Sequence, residues 1–254
     1  MDLTIVILIS FVASILTFFS GFGLGTLMTP VFFMLFRDLP LAIGATAIVH
    51  IANNIFKFGL MRKAIDWTVG WKFALTAFLG SIGGAFILGS ISNVELYAIE
   101  NYYIQINALN LILGVTLIFF TILEVVESKF LKENPPGPVV GGTITGLMAG
   151  LTGHQGALRS AFLLKYGFSK DTFIATGIFI ALVTDAGRIP VYLSRLSSTD
   201  LSEYVLEISL AIVAAVLGAI IGKRLLKKMT LTWLNKMVSI MIIAFSVALI
   251  FGWI

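Results

Sequence analysis

A row of polar side chains interrupts an otherwise apolar segment in the first quarter of the chain. Thr46, His50, Asn53 and Lys57 recur every three or four residues, which places them on one face of a helix. The segment around them, 41–60, has about the length that crosses the hydrocarbon core of a bilayer. Polar groups at that depth cost free energy unless they face a cavity, a partner or a ligand. The row therefore predicts one wall of a polar pathway.

Two glycine-rich breaks could bring backbone N–H groups close to a ligand. The first, 21–25, contains Gly23 and Gly25. The second, 150–156, ends in a more polar run: Thr152, Gly153, His154, Gln155 and Gly156. A helix that begins after such a break presents unpaired N–H groups and the positive end of its dipole, which favour an anion. Glycines also allow tight packing, but two breaks at matching positions favour a paired binding site.

Three cations lie in apolar sequence and also suit an anionic ligand. Arg159 follows the second break directly, and a guanidinium can bind an oxyanion through two parallel hydrogen bonds. Arg188 could do the same, or could pair with Asp185 three residues earlier. Lys57 could face the pathway or extend to the end of its helix and reach water. Arg159 is the strongest of the three candidates.

The ionisable and uncharged polar residues add a possible coupling role. His50, His154 and Asp185 are candidate proton carriers, because histidine changes charge near neutral pH. Both histidines could also be hydrogen-bonded interior residues. A metal site is not predicted, since two histidines without cysteines or clustered carboxylates offer too few ligands. Other residues suited to lining a site, or to joining helices, are Asn53, Asn54, Gln155, Thr46, Thr152 and Thr176.

Composition places these residues in a membrane. The 254 residues are 58% hydrophobic and 12% charged, about half the charged fraction of a soluble domain. The net charge of +4 fits Lys- and Arg-rich cytoplasmic loops better than a nucleic-acid surface. There is no cysteine, and the HExxH, GxSxG and Walker A signatures are absent. We expect no enzyme, no cofactor and no nucleic-acid partner.

Apolar runs divide the chain into five segments and another five. In the first half they are 3–20, 24–36, 41–60, 68–91 and 103–122. In the second half they are 139–151, 156–166, 172–193, 204–226 and 234–254. The segments beside the breaks are shorter than the roughly 20 residues needed to span, so they read as half-helices or re-entrant pieces.

The two halves repeat each other. Gly25 and Lys57 align with Gly156 and Arg188 at a constant offset of 131 residues, and the GxxxG of 80–84 recurs at 218–222. Positive charges around 57–72 and 223–228 mark cytoplasmic loops, which sets the two halves in opposite orientations. We therefore predict an all-α polytopic membrane protein of two inverted repeats, each with a glycine-broken or re-entrant helix pair and three spanning helices. The predicted division is a first repeat at 1–126, a cytoplasmic linker at 127–138 and a second repeat at 139–254.

The order of these motifs resembles the sulfite exporter TauE/SafE family of the toluene-sulfonate uptake permease superfamily. The residues that carry the resemblance are the glycine-rich break followed by Pro30, the run Gly44-Ala45-Thr46, the run Ile65-Asp66-Trp67 and the second break. The resemblance covers nearly the whole chain. It implies secondary transport of a small sulfur-containing or carboxylate anion across the cytoplasmic, or inner, membrane.

The second break departs from the pattern of that family. His154 and Gln155 replace glycines, Ala161 stands where Pro30 stands in the first half, and Leu24 interrupts the first break. The resulting polar, cationic break fits an anion site. We therefore expect export of sulfite or a related organosulfur anion by alternating access, with a proton or cation as the possible coupling ion. Uptake or export of a carboxylate or sulfonate, and a non-transporting membrane scaffold, are the alternatives.

Overall fold

The computed structural model describes residues 3–20, 24–91, 95–99, 104–125, 137–195, 201–225, 240, 243–244 and 246–251. The helices of this part are α1 Leu3–Ser20, α2 Leu24–Phe36, α3 Leu39–Met61, α4 Trp67–Ile91, α5 Ala108–Val125, α6 Pro138–Thr152, α7 Gly156–Leu164, α8 Lys170–Arg195 and α9 Val205–Leu225. Residues 246–250 are also helical. The predicted helical class is confirmed, and both short helices beside the breaks, α2 and α7, are present.

Local sequence fixes the ends of the helices that frame the site. Asp38 caps α3, where its Oδ1 accepts a hydrogen bond of 2.7 Å from the backbone N–H of Leu41. A 3₁₀ turn, Arg62–Ala64, follows the end of α3. Helix α6 begins at Pro138, a position where the missing N–H of proline has no intrahelical partner to lose. It ends at Gly153, whose φ of 80° lies in the left-handed region that glycine adopts without strain.

Four helices of the described chain are long and apolar enough to cross a membrane. They are Leu39–Ala64, Trp67–Ser90, Lys170–Ser194 and Val205–Leu225. These correspond to four of the six full spans that the sequence predicts. The fifth, in α5, is among the shorter apolar helices. Most of the sixth, 234–254, lies outside the described residues.

A β-hairpin replaces the beginning of the predicted segment 103–122. Strand β1, Glu95–Ile99, pairs in antiparallel fashion with strand β2, Ile104–Asn107, and α5 starts only at Ala108. The sequence Ile-Gln-Ile-Asn of β2 alternates apolar and polar residues, which is the period of a strand and not of a helix. The expected start of this helix at residue 103 was therefore wrong.

The first helix of each half of the chain packs against a helix of the other half. Helix α1 packs along α9, and α6 packs along α4. Glycines allow both contacts: a Cβ on Gly84 would meet the backbone of Leu147 in α6, and a Cβ on Gly218 would meet the backbone of Phe11 in α1. The GxxxG pairs found in the sequence thus mark two close helix contacts at corresponding places.

Helices α3 and α8 form the centre of the molecule. They pack against each other. The apolar stretches of α3 and α8 are 67% and 72% buried, whereas those of α4 and α9 are 44% and 39% buried. A buried apolar cluster that includes Leu24, Ile43 and Leu151 surrounds them near the breaks. The polar residues of α3 and α8 are therefore held away from lipid. Most of the predicted linker 127–138 lies outside the described residues, and the division into repeats stays a prediction.

Candidate functional site

The two glycine breaks meet in the folded chain. A Cβ on Gly25, in the first turn of α2, would lie 3.0 Å from the backbone oxygen of Gly153, just after α6. That separation is tighter than most Cβ contacts, so a side chain here would push the facing backbone by a few tenths of an ångström. Gly23 and the rest of 21–23 lie outside the described residues. The contact places the start of α2 against the turn that leads into α7.

The second break is held by its own polar atoms. The backbone N–H of His154 donates to Thr152 Oγ1 at 3.2 Å, and His154 Nδ1 lies 2.7 Å from the backbone oxygen of Thr152. Gln155 precedes Gly156, the first residue of α7, and its side chain crosses to α8. Within the described part of the chain, His154 Nε2 and Gln155 Oε1 are buried without a hydrogen-bond partner. Such atoms retain capacity to bind a polar ligand.

Asp185 is the centre of a buried hydrogen-bond network between α3, α8 and the second break. Its Oδ2 lies 2.6 Å from His50 Nδ1 and 3.4 Å from Asn54 Nδ2, while its Oδ1 accepts a bond of 3.0 Å from Gln155 Nε2. Arg188 Nε also donates to Oδ1 at 3.0 Å, and Arg188 Nη2 lies 2.8 Å from the same oxygen. The carboxylate is fully buried. Charge-assisted bonds of this kind offset the cost of burying an ion.

Arg188 ties this network to the end of α6. Its Nη1 donates to the backbone oxygen of Ala149 at 2.8 Å, and Tyr192, one turn further along α8, donates to the oxygen of Gly150 at 2.6 Å. The last carbonyl groups of a helix carry partial negative charge and need donors. The sequence left open whether Arg188 faces the pathway or pairs with Asp185; the structure shows the pair. Arg188 therefore positions the break and neutralises Asp185.

Lys57 and Asn53 face α1. Lys57 is 1% exposed, and its Nζ donates to the backbone oxygen of Ser14 at 3.3 Å and lies 4.7 Å from the centre of the Phe18 ring. With its amide oriented to satisfy both ends, Asn53 accepts from Lys57 Nζ at 2.9 Å and donates to Ser14 Oγ at 3.0 Å. The alternative in which Lys57 extends to water was therefore wrong. Lys57 bonds a carbonyl of α1 much as Arg188 bonds a carbonyl of α6.

A pocket opens between α3, α7 and α8 beside these networks. Arg159, 4% exposed, lies in its wall with His50 and Asn54. A Cβ on Gly177 of α8 would lie 3.3 Å from Arg159 Nε, so glycine at this position leaves room for the guanidinium. The other residues that line the pocket are Thr17, Ser160, Leu163, Phe173, Ile174, Gly177 and Ile178.

The structure divides the polar row of α3 into separate contacts. Thr46 lies 3.3 Å from Thr29 of α2, through their hydroxyl oxygens, and His50 contacts Asp185. Asn53 and Lys57 turn toward α1, so only part of the row lines the pocket. Thr176, a further candidate, accepts a hydrogen bond from the backbone N–H of Asp66, outside the pocket.

Sequence reasoning missed the residues that contact the candidate site residues and fix their positions. Tyr192 donates to the backbone oxygen of Gly150 at the end of α6, and the backbone oxygen of Ser14 in α1 accepts from Lys57. Gly177 leaves room for the guanidinium of Arg159. One signal was available: Asn54 and Asp185 are separated by 131 residues, the repeat offset, and they meet at the contact of α3 and α8. The described residues contain no group of three His, Cys, Asp or Glu side chains that could hold a metal ion.

Comparison with known proteins gives one family. The family model described as Sulfite exporter TauE/SafE matches residues 6–249, nearly the whole chain. No curated protein and no solved structure matches the chain.

Proposed function

The chain belongs to the sulfite exporter TauE/SafE family, a family of membrane transporters, and on this premise we propose that it exports sulfite or a related organosulfur anion across the cytoplasmic membrane. Transport is secondary: it draws on an ion gradient or on the gradient of the anion itself. The multi-pass character follows from the family and from the four apolar helices long enough to span. The family is one of transporters and not of enzymes, which is consistent with the absence of catalytic signatures in the sequence.

The observation that carries the proposal is the meeting of the two breaks beside a cationic pocket. Gly25 and Gly153 approach closely, and the pocket lined by Arg159 and His50 is linked to the second break through Asp185, which bonds both His50 and Gln155. In transporters with discontinuous helices, such a meeting point is where the substrate binds. The N-terminus of α7 adds backbone N–H groups and a positive dipole end to the guanidinium.

The chemistry of the site supports a small oxyanion. Arg159 supplies planar, bidentate hydrogen-bond donors, and Asn54, Ser160 and Thr17 add uncharged polar groups. Sulfite, sulfonates and carboxylates all present two or more oxygens to such donors. Of these, sulfite agrees with the name of the family. The candidate ligand-binding set comprises Arg159, His50, Asn54, Thr152, His154, Gln155 and the backbone of Gly23, Gly25, Gly153 and Gly156.

The exchange of first helices supports alternating access. Helices α1 and α6 each pack on the fourth helix of the other half, so the two halves cannot move as independent units. We propose that the halves are inverted repeats, as the positions of the positive loops predict. Rocking of two helix-exchanged units, each made of one half with its own first helix replaced by that of the other half, then exposes the site first to one side of the membrane and then to the other.

Flux of ³⁵S-labelled sulfite into proteoliposomes tests the function. Wild-type protein should accelerate flux above that of protein-free vesicles, and unlabelled sulfite should compete. Arg159→Gln should abolish the protein-dependent flux, because the guanidinium is removed from the pocket wall. Arg224→Gln is the matched control, since Arg224 is exposed near the end of α9.

Three results would contradict the proposal. Flux unaltered by Arg159→Gln would remove that residue from the site, provided that both variants elute as folded protein on size exclusion. Transport of a cation without any effect of anions would exclude an anion site. A protein that neither transports nor is thermally stabilised by sulfite, sulfonates or short carboxylates would instead be the membrane scaffold.

A further inference from the structure

We propose that His50 and Asp185 form a proton site linked to the anion pocket, so that one proton binds His50 as each anion enters. This inference rests on the proposed function and names the co-transported ion, so that export is driven by the outward gradient of the anion. Two observations support it: His50 lies in the pocket wall, and its Nδ1 lies 2.6 Å from the buried carboxylate oxygen Oδ2 of Asp185. Asp185 is fully buried and acts as a positioning residue.

The contact with Asp185 sets the tautomer of His50. An ionised carboxylate only accepts hydrogen bonds, so the ring nitrogen 2.6 Å from Asp185 Oδ2 must carry a hydrogen. Nδ1 is that nitrogen, so Asn54 Nδ2, which lies 3.0 Å from it, donates to Asp185 Oδ2 at 3.4 Å instead. No hydrogen bond from the described residues reaches Nε2, and the side chain keeps 9% of its surface exposed. Nε2 is thus the atom that gains or loses a proton, on a ring that lines the pocket.

Charge balance links this proton to an anion. Arg188 already pairs with Asp185 at 2.8 Å, so the carboxylate is neutralised before His50 is protonated. A proton on His50 therefore adds a positive charge to the pocket wall. A charge in such an interior costs free energy unless an opposite charge accompanies it. An anion beside Nε2 removes this cost, and a protonated Nε2 in turn donates a charge-assisted hydrogen bond to the anion.

The surrounding elements place few other titratable groups near His50. Helices α1, α2 and α6 carry none in their described residues. Those that face the network are Asp185, Arg188 and Tyr192 of α8, Arg159 of α7, His154 of the second break and Lys57, two turns further along α3. The remaining charges of the neighbouring elements lie toward their ends: Arg62, Lys63, Lys72, Lys170, Asp171, Arg195, Glu207, Lys223 and Arg224.

Nuclear magnetic resonance of wild-type protein tests the tautomer directly. The chain has only two histidines, so ¹⁵N-histidine labelling gives signals from two rings, and the signals lost in His50→Gln identify His50. Without anion at mildly alkaline pH, His50 should show a protonated Nδ1 and an unprotonated Nε2. Sulfate, whose own charge is constant around neutrality, should shift Nε2 toward the imidazolium position at fixed pH. An Nε2–H tautomer, or no shift at saturating anion, would overturn the inference.

The pH dependence of anion affinity tests the stoichiometry. Sulfate and methanesulfonate serve as probes beside sulfite, because they do not titrate near neutrality. Coupling to one proton requires that Kd rise about tenfold for each pH unit wherever the anion-free protein does not already carry that proton. In calorimetry, buffers of different ionisation enthalpy should report about one proton taken up per anion bound.

Variants assign this linkage to the pair. His50→Gln should reduce the pH slope to zero. Asp185→Asn should alter the pH slope, because the carboxylate that fixes the ring of His50 through Nδ1 is lost. Asp171→Asn is the matched control, since Asp171 is exposed in the first turn of the same helix and should leave the slope unchanged. If the His50 and Asp185 variants do not fold, the wild-type spectra still decide.

The two proposals fail in distinguishable ways. Protein that binds none of the three anions refutes the proposed function, and the coupling with it. Protein that transports sulfite and binds these anions with no proton uptake and no pH slope refutes the coupling alone. A slope that persists in folded His50→Gln assigns the proton to another group, and likewise overturns the role of His50.

Discussion

Replacement of Gly84 by alanine tests the close contact between α4 and α6. A Cβ at this position would collide with the backbone oxygen of Leu147 and would lie 2.8 Å from the backbone nitrogen of Leu151. These are atoms of a helical backbone, so relief requires the two helices to separate. Gly83, the preceding residue, offers a matched control because nothing lies within 4 Å of its Cβ position.

The expected magnitudes follow from these two environments. At Gly83, alanine should stabilise the helix by about 0.5–1 kcal/mol, because it loses less backbone entropy than glycine. At Gly84 the same gain is outweighed by an overpacking cost at or above about 3 kcal/mol, the upper end of the usual range, since backbone must move. The free energies of unfolding of the two variants should therefore differ by about 3 kcal/mol. For a chain of this size that corresponds to a difference of about 6–12 °C in Tm.

Intrinsic tryptophan fluorescence during heating measures Tm in detergent, since the chain has four tryptophans. Size exclusion before heating confirms that each variant is folded. Equal Tm values for Gly84→Ala and Gly83→Ala would refute the close approach of α4 and α6 at this point. A Gly83→Ala variant that is strongly destabilised would show that the face of α4 has been assigned wrongly.

Two further substitutions test the breaks. Gly25→Ala places a Cβ 3.0 Å from the facing backbone oxygen and should lower sulfite flux about tenfold, equivalent to 1.4 kcal/mol, whereas Gly59→Ala, with nothing within 4 Å, should leave flux unchanged. Equal flux in the two variants would contradict a role for the contact between the breaks. Tyr192→Phe removes the bond to Gly150 and should cost about 1 kcal/mol of unfolding free energy. Denaturant titration measures this cost. Tyr204→Phe is the control, because the ring of Tyr204 packs on the ring of Phe36 and removal of its hydroxyl should change the free energy of unfolding little. An equal loss of unfolding free energy in both variants would contradict a specific contribution of the bond from Tyr192 to Gly150.

Periodicity and glycine placement were enough to predict most of the described helices and the second break. The bounds of α2 agree with the apolar segment 24–36, and α7 begins at Gly156 as the break predicts. The beginning of α5 was missed because a short alternating run, Ile104–Asn107, stands directly before a long apolar one. Such a strand can be told from the helix only by its pairing partner, Glu95–Ile99.

The row on α3 shows the limit of pattern reasoning. Spacing correctly placed Thr46, His50, Asn53 and Lys57 on the interior side of one helix, and all four are buried. A face of a helix is wide enough to meet more than one neighbour, however, and spacing does not identify them. Packing turned Asn53 and Lys57 toward α1 and left His50 in the pocket wall.

By itself the sequence determined the membrane class, the family, the two glycine breaks and the presence of an anion-suited arginine after the second one. These depend on composition and local order, which are properties of the chain before it folds. Only the tertiary structure decided that Arg188 neutralises Asp185, that Lys57 stays buried against α1 and that His50 faces the pocket. The contacts of Lys57 and His50 join residues 43 and 135 positions apart, and Arg188 reaches Asp185 three residues away while also bonding α6, 39 residues away. Charges in a low-dielectric interior take their roles from such distances, which only the folded chain sets.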